Sequence, residues 1–362
     1  MINPIIKRKI QRVLPYGIIW FIAGMVYTLL ERGLLGSSGQ YQSTGNPYNF
    51  SRSLMITPIA ALLMGLLMGT LETIYLNRRL NQFTLGKKIL YKSLIDLFVI
   101  LVFIVATTLI ANSLELGVSL LDEKVISFLT AFLGNYAFIS VSLYMVLIIV
   151  ITQFYMEVRE HIGPSVLANF LKGRYHRPIE EERIFMFLDM KSSTLIAEQL
   201  GHLRYFDLLR QYYTDLSDAV IAHEGEVYQY VGDEMVLTWN MNKGLQNNNC
   251  LECFYSMKKS LQQQSHFYQK KFGVVPGFKA GLHWGRVTTG EIGVLKKEII
   301  FTGDVLNTTA RIQSLCNGFK TDLLISGELK SKLNEEQDHP FHSLGIQQLR
   351  GREEPVQLFT VK

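Results

Sequence analysis

Two acidic residues at the ends of predicted strands could together hold a divalent cation. The run Glu182–Met190 is apolar, closes on Asp189 and is followed by Lys-Ser-Ser-Thr and an amphipathic helix. Glu224–Trp239 predicts a β-hairpin whose tight turn is Gly232-Asp233. Carboxylates at two strand ends can meet at one sheet edge, where they repel each other unless a cation lies between them. A lone Gly-Asp turn is usually structural, so the second acidic strand end is what favours a site.

Four short motifs carry a family resemblance. In chain order they are Phe-Leu-Asp-Met-Lys-Ser-Ser-Thr, Tyr-Val-Gly-Asp-Glu, Ala-Gly-Leu-His-Trp-Gly and Gly-Asp-Val-Leu-Asn-Thr-Thr-Ala-Arg. Each is weak alone, but in this order and spacing they resemble the catalytic domain of class III nucleotidyl cyclases over residues 180–362. The resemblance implies an α+β domain with a ferredoxin-like core. It also implies conversion of a nucleoside triphosphate, with ATP favoured, to the 3′,5′-cyclic monophosphate and pyrophosphate.

The resemblance assigns roles to individual residues. Asp189 and Asp233 match the family's metal-binding pair for two Mg²⁺ or Mn²⁺ ions, for which hard oxygen ligands are suitable. Asn307 and Arg311 match the pair that orients the ribose and faces the transition-state phosphate, and their i,i+4 spacing places both on one helical face. Positions implied to contact the triphosphate are Lys191, Ser192, Ser193 and Thr194 at a helix start, and Arg350 and Arg352 near the C-terminus.

The positions that would read the base depart from the family pattern. Gln229 stands where most adenylyl cyclases carry Lys and guanylyl cyclases carry Glu, and Ile300 stands at the partner position, commonly Asp or Thr. A Gln amide can donate or accept, so it fits neither purine exclusively. Either the base is read by backbone groups and neighbours such as Lys279, or selectivity is relaxed. GTP or a pyrimidine triphosphate therefore stays open as the substrate.

The resemblance also implies a head-to-tail homodimer. One chain would supply Asp189 and Asp233 to each site, and the other chain would supply Asn307 and Arg311. Since this chain carries all four residues, it requires no different catalytic partner.

The composition indicates a membrane-anchored chain. Of 362 residues 48% are apolar and only 19% are charged, and the apolar excess lies before residue 157. The formal charge of +5 does not predict a nucleic-acid partner, because the Lys and Arg residues flank apolar segments instead of lining one face. Three cysteines do not build a disulfide framework in a chain of this length.

Four uncharged segments predict transmembrane helices in a lipid bilayer. They are Val13–Leu30, Ser53–Leu71, Leu97–Leu114 and Val125–Met156, and the last is long enough to continue beyond the membrane. Basic residues are concentrated in the N-terminal tail and in the loop after the second segment. The positive-inside rule therefore places both termini and the catalytic domain in the cytoplasm, with the anchor in the cell (inner) membrane.

The predicted organisation is a four-helix transmembrane domain over 1–156, a juxtamembrane linker over 157–179 and a catalytic domain over 180–362. In the linker, a helix over 164–172 is either an ordinary packed helix or a dimer-forming transmission element. Glu72 and Asp96 lie at the ends of spans. Acids at such positions either take part in sensing or, more often, snorkel to the interface or cap a helix.

The catalytic region mixes predicted strands and helices, which favours a mostly antiparallel α+β sheet. Strands are predicted at 183–189, 226–238 (the hairpin), 277–283, 298–302, 342–349 and 355–361, and helices at 194–222, 246–271 and from 305. Two alternatives to a cyclase remain. The chain could be a catalytically inactive receptor that binds nucleotide, or a diguanylate cyclase, although that family lacks the Asn-x3-Arg helix.

Overall fold

A computed structural model of the chain describes residues 4–40, 48–80, 83–163, 167, 173–295, 297–334 and 340–361. It contains two compact units: one is Arg8–Leu167, and the other is formed mainly by Ala168–Lys362. The predicted transmission helix over 164–172 lies outside the described residues, apart from Leu167.

The first unit is a helix bundle. Its helices are α1 (Pro4–Leu35), α2 (Phe50–Leu71), a π-helical turn (Glu72–Leu76), α3 (Asn77–Leu80), α4 (Leu85–Leu116), α5 (Glu123–Leu133) and α6 (Tyr136–Ile162). Capping residues define helix ends. The Asn49 side chain accepts from the backbone of Arg52 at the start of α2, and Gly117 ends α4 in the left-handed conformation. Four of the helices are long and apolar enough to cross a membrane, as predicted.

Helices α1 and α2 pack closely because α2 presents glycines. A Cβ placed at Gly65 would lie 2.6 Å from the carbonyl oxygen of Tyr16, and one at Gly69 would lie 2.8 Å from the Tyr16 ring. Small residues at such spacing allow two apolar helices to approach backbone to backbone.

Two expectations for this unit need correction. The fourth apolar segment, predicted as one helix over Val125–Met156, is divided between α5 and α6 at Gly134 and Asn135, two residue types with weak helix propensity. Glu72 and Asp96 neither snorkel nor cap, since they are only 4% and 8% exposed inside the bundle.

The second unit is an α+β fold, which confirms the predicted class. Its strands are β1 (Ile179–Met190), β2 (Glu226–Val231), β3 (Glu234–Asn240), β4 (Phe278–Ile292), β5 (Glu298–Thr302), β6 (Leu323–Ser326), β7 (Phe341–Gln347) and β8 (Val356–Val361). Its helices are α7 (Ser193–Ala222), α8 (Met241–Leu245), α9 (Asn249–Gln263), α10 (Ser265–Phe272), α11 (Asp304–Ser314) and α12 (Gly327–Lys330).

The eight strands form one sheet in the order β2-β3-β1-β4-β6-β8-β7, and β5 pairs with β4. All pairings are antiparallel except β4 with β6, which is parallel. Strand β1 is central, and Ile184 to Leu188 are all buried. Helices pack on both faces of this strand, which explains why its sequence is a continuous apolar run without alternation.

Two details of the predicted elements differ. Strand β6 was missed because only four residues form it. The single helix predicted over 246–271 is two helices, α9 and α10, which meet at Gln264.

Candidate active site

Asp189 lies near the C-terminal end of the central strand β1. Its cross-strand neighbours are Glu234 on β3 and Lys279 on β4. The chain then turns sharply: the Lys191 amide donates to the carbonyl of Gly277 at 2.9 Å, and Ser192 takes a left-handed conformation before α7 begins. The carboxylate is thereby fixed between three strands and a helix start.

Asp233 reaches the same sheet edge from the β2–β3 hairpin. The loop has two residues, since Val231 pairs with Glu234, and Gly232 has φ +63°, as a tight hairpin turn with Gly first requires. The hydroxyl of Tyr213 donates to the Gly232 carbonyl at 2.9 Å and holds the turn against α7. The predicted pairing of acidic strand ends is therefore present in the structure.

Burial and neighbouring charges raise the pKa of two carboxyl groups at this sheet edge. Burial raises the pKa of the Asp189 carboxyl, and the facing carboxylate of Asp233 raises it further. The Lys279 ammonium, 3.2 Å from Asp189 Oδ2, opposes this increase. Burial and these two acids also raise the pKa of Glu234. The edge therefore carries excess negative charge that one lysine only partly offsets.

This donor set fits a hard divalent cation. Two facing carboxylates offer the oxygen ligands that Mg²⁺ and Mn²⁺ prefer, and Mg²⁺ commonly takes one or two carboxylates plus substrate phosphates. Within the described ranges, no group of three or more His, Cys, Asp or Glu side chains converges as a complete ligand set. Asp189 and Asp233 would hold such an ion only together with oxygens from elsewhere.

The residues predicted at the helix start divide into two groups. Ser192, Ser193 and Thr194 begin α7 directly beyond Asp189, and Ser192 and Thr194 are exposed. In contrast, the Lys191 ammonium is ion-paired with Asp322, to which Lys258 also binds at 3.0 Å. The structure does not bring the charge of Lys191 to Asp189.

Helix α11 carries Asn307 and Arg311 on a face that its own sheet does not cover. The buried side of α11 packs so close to β4 that a Cβ at Gly281 would lie 2.5 Å from the Gln313 nitrogen. Gln313 donates to Asp189 at 3.3 Å. At 3.6 residues per turn, Arg311 lies about 200° from Gln313 around the helix. Asn307 is exposed and Arg311 is half-buried.

Arg311 lies beside the loop that contains Arg350. A Cβ at Gly351 would lie 3.3 Å from Arg311 Nη2, so the loop packs directly on the guanidinium. In the described residues, Nη1 of Arg311 is buried and has no hydrogen-bond partner. Arg350 is exposed, and the nearby Arg352 contacts Glu328 at 3.6 Å. The structure thus places the loop that carries Arg350 against Arg311.

The two positions predicted to read the base adjoin a contact between β2 and β5. Tyr228 packs edge-on against Phe301 with ring centroids 4.8 Å apart, and its hydroxyl accepts from the Phe301 backbone at 3.3 Å. Gln229 and Ile300 flank this contact in sequence; the first is exposed and the second half-buried. Lys279 lies instead at the acidic pair, in its ion pair with Asp189.

Three residues that position the site were not predicted from the sequence. They are Gln313, which donates to Asp189; Tyr213, which holds the Gly232-Asp233 turn; and Tyr228, which joins β2 to β5. Gln313 follows Arg311 by two residues, yet only its close approach to β4 indicates this contact.

Comparisons with known proteins identify the family of the second unit. The family described as the adenylate and guanylate cyclase catalytic domain matches residues 177–362. "Adenylate cyclase 2" of Rhizobium meliloti (strain 1021) is 36% identical over 199 residues, which cover 55% of each chain. "Adenylate cyclase 1" of the same strain is 23% identical over 185 residues, 50% of this chain and 27% of that protein.

A solved structure shares the fold. It is described as a bacterial light-regulated adenylyl cyclase and superimposes with a TM-score of 0.52 at 20% identity, covering 60% of this chain and 63% of that one. The chain spans only about half the length of the first relative. Because the family match extends over more than half of the sequence, the chain belongs to the adenylate and guanylate cyclase family.

Proposed function

We propose that the chain is a membrane-anchored adenylate cyclase that converts ATP to 3′,5′-cyclic AMP and pyrophosphate. The observation that carries this proposal is the meeting of Asp189 and Asp233 at one sheet edge, where burial and the charge of Asp233 raise the pKa of Asp189. Two such carboxylates are suited to a divalent cation carrying a triphosphate. Bound Mg²⁺ or Mn²⁺ would lower the pKa of the ribose 3′-hydroxyl and neutralise phosphate charge.

The roles of the chain's own residues follow from their positions. Asp189 and Asp233 would hold two metal ions, and Gln313 and Lys279 fix the Asp189 carboxylate by contacts at 3.3 and 3.2 Å. The 3′-hydroxyl loses its proton to water and its oxygen bonds to the α-phosphorus. The bond from that phosphorus to the oxygen bridging to the β-phosphate breaks, and pyrophosphate leaves. Asn307 orients the ribose, and Arg311 stabilises the charge that grows on the α-phosphate.

A homodimer would complete each site. Gln313 faces Asp189 of its own chain, so Arg311, about 200° away on the same helix, faces away from that carboxylate. The buried Nη1 of Arg311 has no hydrogen-bond partner in the described chain, and a buried unpartnered donor is costly. A second copy presenting its bound triphosphate to Arg311 would satisfy both observations.

ATP is the proposed substrate on the strength of the relatives described as adenylate cyclases. Gln229 and Ile300, which flank the Tyr228–Phe301 contact, provide one amide and one apolar surface for the base. Gln229 would reject GTP less strongly than a charged side chain at this position, because its neutral amide can both donate and accept. GTP and pyrimidine triphosphates are therefore the substrates to compare with ATP.

The four long apolar helices support an anchor in the cell membrane. Basic residues at the start of α1 and on both sides of Leu85, in α3 and α4, favour a cytoplasmic location for these ends. The catalytic unit would then lie in the cytoplasm, where nucleoside triphosphates are available.

The test is a product assay on the full-length chain in lipid nanodiscs. The chain is incubated with Mg²⁺ or Mn²⁺ and each of the four triphosphates, and products are identified by mass spectrometry. We expect cyclic AMP as the main product and none from Asp233→Asn, which keeps the side-chain shape. Asp322→Asn, outside the acidic pair, is the matched control. Binding of triphosphate without any product would favour an inactive nucleotide receptor.

A further inference from the structure

A buried polar cluster joins the helices at one end of the bundle. Its members come from α1, the π-helical turn, α4 and α6, and none is more than 8% exposed. They are Tyr16, Glu72, Lys88, Lys92, Asp96, Gln153 and Glu157. Ionisable groups are costly inside an apolar bundle, so a cluster of this size is expected to have a function.

Two lysines each bind glutamates in this cluster. Lys92 pairs with Glu72 and lies 3.5 Å from Glu157, and Lys88 lies 2.6 Å from Glu157. The Tyr16 hydroxyl donates a hydrogen bond to Glu72. Both glutamates are thus compensated by ammonium groups.

Asp96 has a different environment. In the described part of the bundle it forms no ion pair, and its carboxylate accepts from Gln153 Nε2 at 2.5 Å. The same nitrogen donates to Glu72 at 3.0 Å, so two carboxylates share one amide. The oxygen of that amide, Gln153 Oε1, is buried and has no hydrogen-bond partner among the described residues.

The charges do not balance when every acid is ionised. The cluster has three carboxylates and two ammonium groups, which leaves one buried negative charge. The neighbouring charged groups, Arg12, Arg159, Glu160 and His161, are half-buried or exposed, and solvent screens them. One proton would remove the excess charge. It would also make Asp96 a hydrogen-bond donor, and the amide that binds Asp96 has an oxygen without a partner among the described residues.

We propose that this cluster binds one exchangeable proton at Asp96, and that its release changes the packing of α4 against α6. Helix α6 precedes the catalytic unit in the chain, so the cluster is a means for local pH to regulate the cyclase. In the proposed topology the cluster lies at the cytoplasmic end of the bundle, where protons of the cytoplasm have access. This proposal goes beyond the proposed catalytic function.

Infrared spectroscopy of the full-length chain in nanodiscs tests it independently of activity. A protonated carboxyl group absorbs at a different infrared frequency from a carboxylate. Its band should disappear as the pH is raised. Asp96→Asn, which has the shape of the protonated acid, should lack this band. The control is Asp122→Asn at the start of α5, where Asn can still cap the helix. It should keep the band.

A second variant changes the charge balance in the opposite direction. Lys88→Met removes one ammonium group, so the band should persist to higher pH than in the parent chain. A parallel pH profile of cyclase activity should lose one inflection in Asp96→Asn. An unchanged band in Asp96→Asn, or a Lys88→Met band that disappears at the same pH as the parent band, would overturn the proposal, even if the cyclase is inactive.

Discussion

Gln313 donates a hydrogen bond to Asp189 at 3.3 Å, from a helix whose opposite side carries Arg311. This contact fixes one of the two acidic residues relative to α11. Because the Asp189 carboxylate also contacts Lys279, it is held from two directions before any ligand binds. The position of a proposed metal ligand thus depends on residues that do not themselves offer carboxylates.

The first prediction concerns this support. Gln313→Leu replaces the amide donor with an apolar side chain of similar size. We expect apparent Mn²⁺ affinity to fall by about 10- to 100-fold, the usual cost of losing a hydrogen bond to a metal ligand, with a smaller change in KM for ATP. Free Mn²⁺ measured by electron paramagnetic resonance gives the affinity without turnover. Gln262→Leu, on α9, is the control, and equal affinities in both variants would contradict a supporting role.

Part of this arrangement could be predicted from the sequence and part could not. The positions of Asp189 and Asp233 at the ends of strands were predictable, because an apolar strand and a Gly-Asp turn are local signals. The contacts of Gln313, Tyr213 and Tyr228 depend on how distant elements pack, and no local pattern encodes that packing. Strand β6 was missed for a related reason, since four residues are too few to establish a period.

In the helix bundle, too, local patterns were predictable and packing was not. The charge-free segments predicted the spans, because hydropathy is a sum over many residues. The burial of Glu72 and Asp96 was not predicted, because these acids lie at the ends of their apolar segments, where water is normally close. Hydrogen bonds from Tyr16, Lys92 and Gln153 compensate for the burial of these acids.

The second prediction concerns base selection. Gln229→Lys should increase the preference for ATP over GTP, and Gln229→Glu should shift it toward GTP. The size of each change should be about that of a hydrogen bond to a charged group, roughly 1.5–3 kcal/mol. The ratio of kcat/KM for the two nucleotides is the measurement. Gln229→Met, without donor or acceptor, should discriminate least, and an unchanged ratio in all three variants would show that this position does not read the base.

The third prediction concerns the acid stability of the catalytic unit. His283 is 5% exposed and hydrogen-bonded to Ser326 at 2.8 Å. Burial lowers its pKa to about 4. In the unfolded chain a histidine binds its proton near pH 6.5. Between pH 4 and pH 6.5 the unfolded state therefore binds more protons than the folded state. The contribution of neutral His283 to the free energy of unfolding is complete above pH 6.5 and is lost as the pH falls toward 4.

His283→Gln should remove this pH dependence. The free energy of unfolding of the parent should decrease by up to about 3 kcal/mol more than that of the variant between pH 7 and pH 4. Urea unfolding of the full chain can be followed by the fluorescence of Trp239 and Trp284 in a Trp20→Phe background, which removes the tryptophan of the helix bundle. His342→Gln, at an exposed position of β7, should keep the parent's slope. Parallel curves for parent and His283→Gln would exclude His283 as the cause.

The last prediction tests whether each site is shared between two chains. Asp189→Ala and Arg311→Ala should each be inactive alone, yet a mixed dimer would have one site with both lesions and one with neither. With random pairing half of the dimers are mixed, so activity should return to roughly a quarter of the parental value. Co-reconstituted nanodiscs carrying two affinity tags verify the pairing. Asp189→Ala mixed with Asp233→Ala is the control, because these lesions lie on the same half-site and cannot complement. A first mixture as inactive as this control, with mixed dimers verified, would place Arg311 and Asp189 of one chain in the same site.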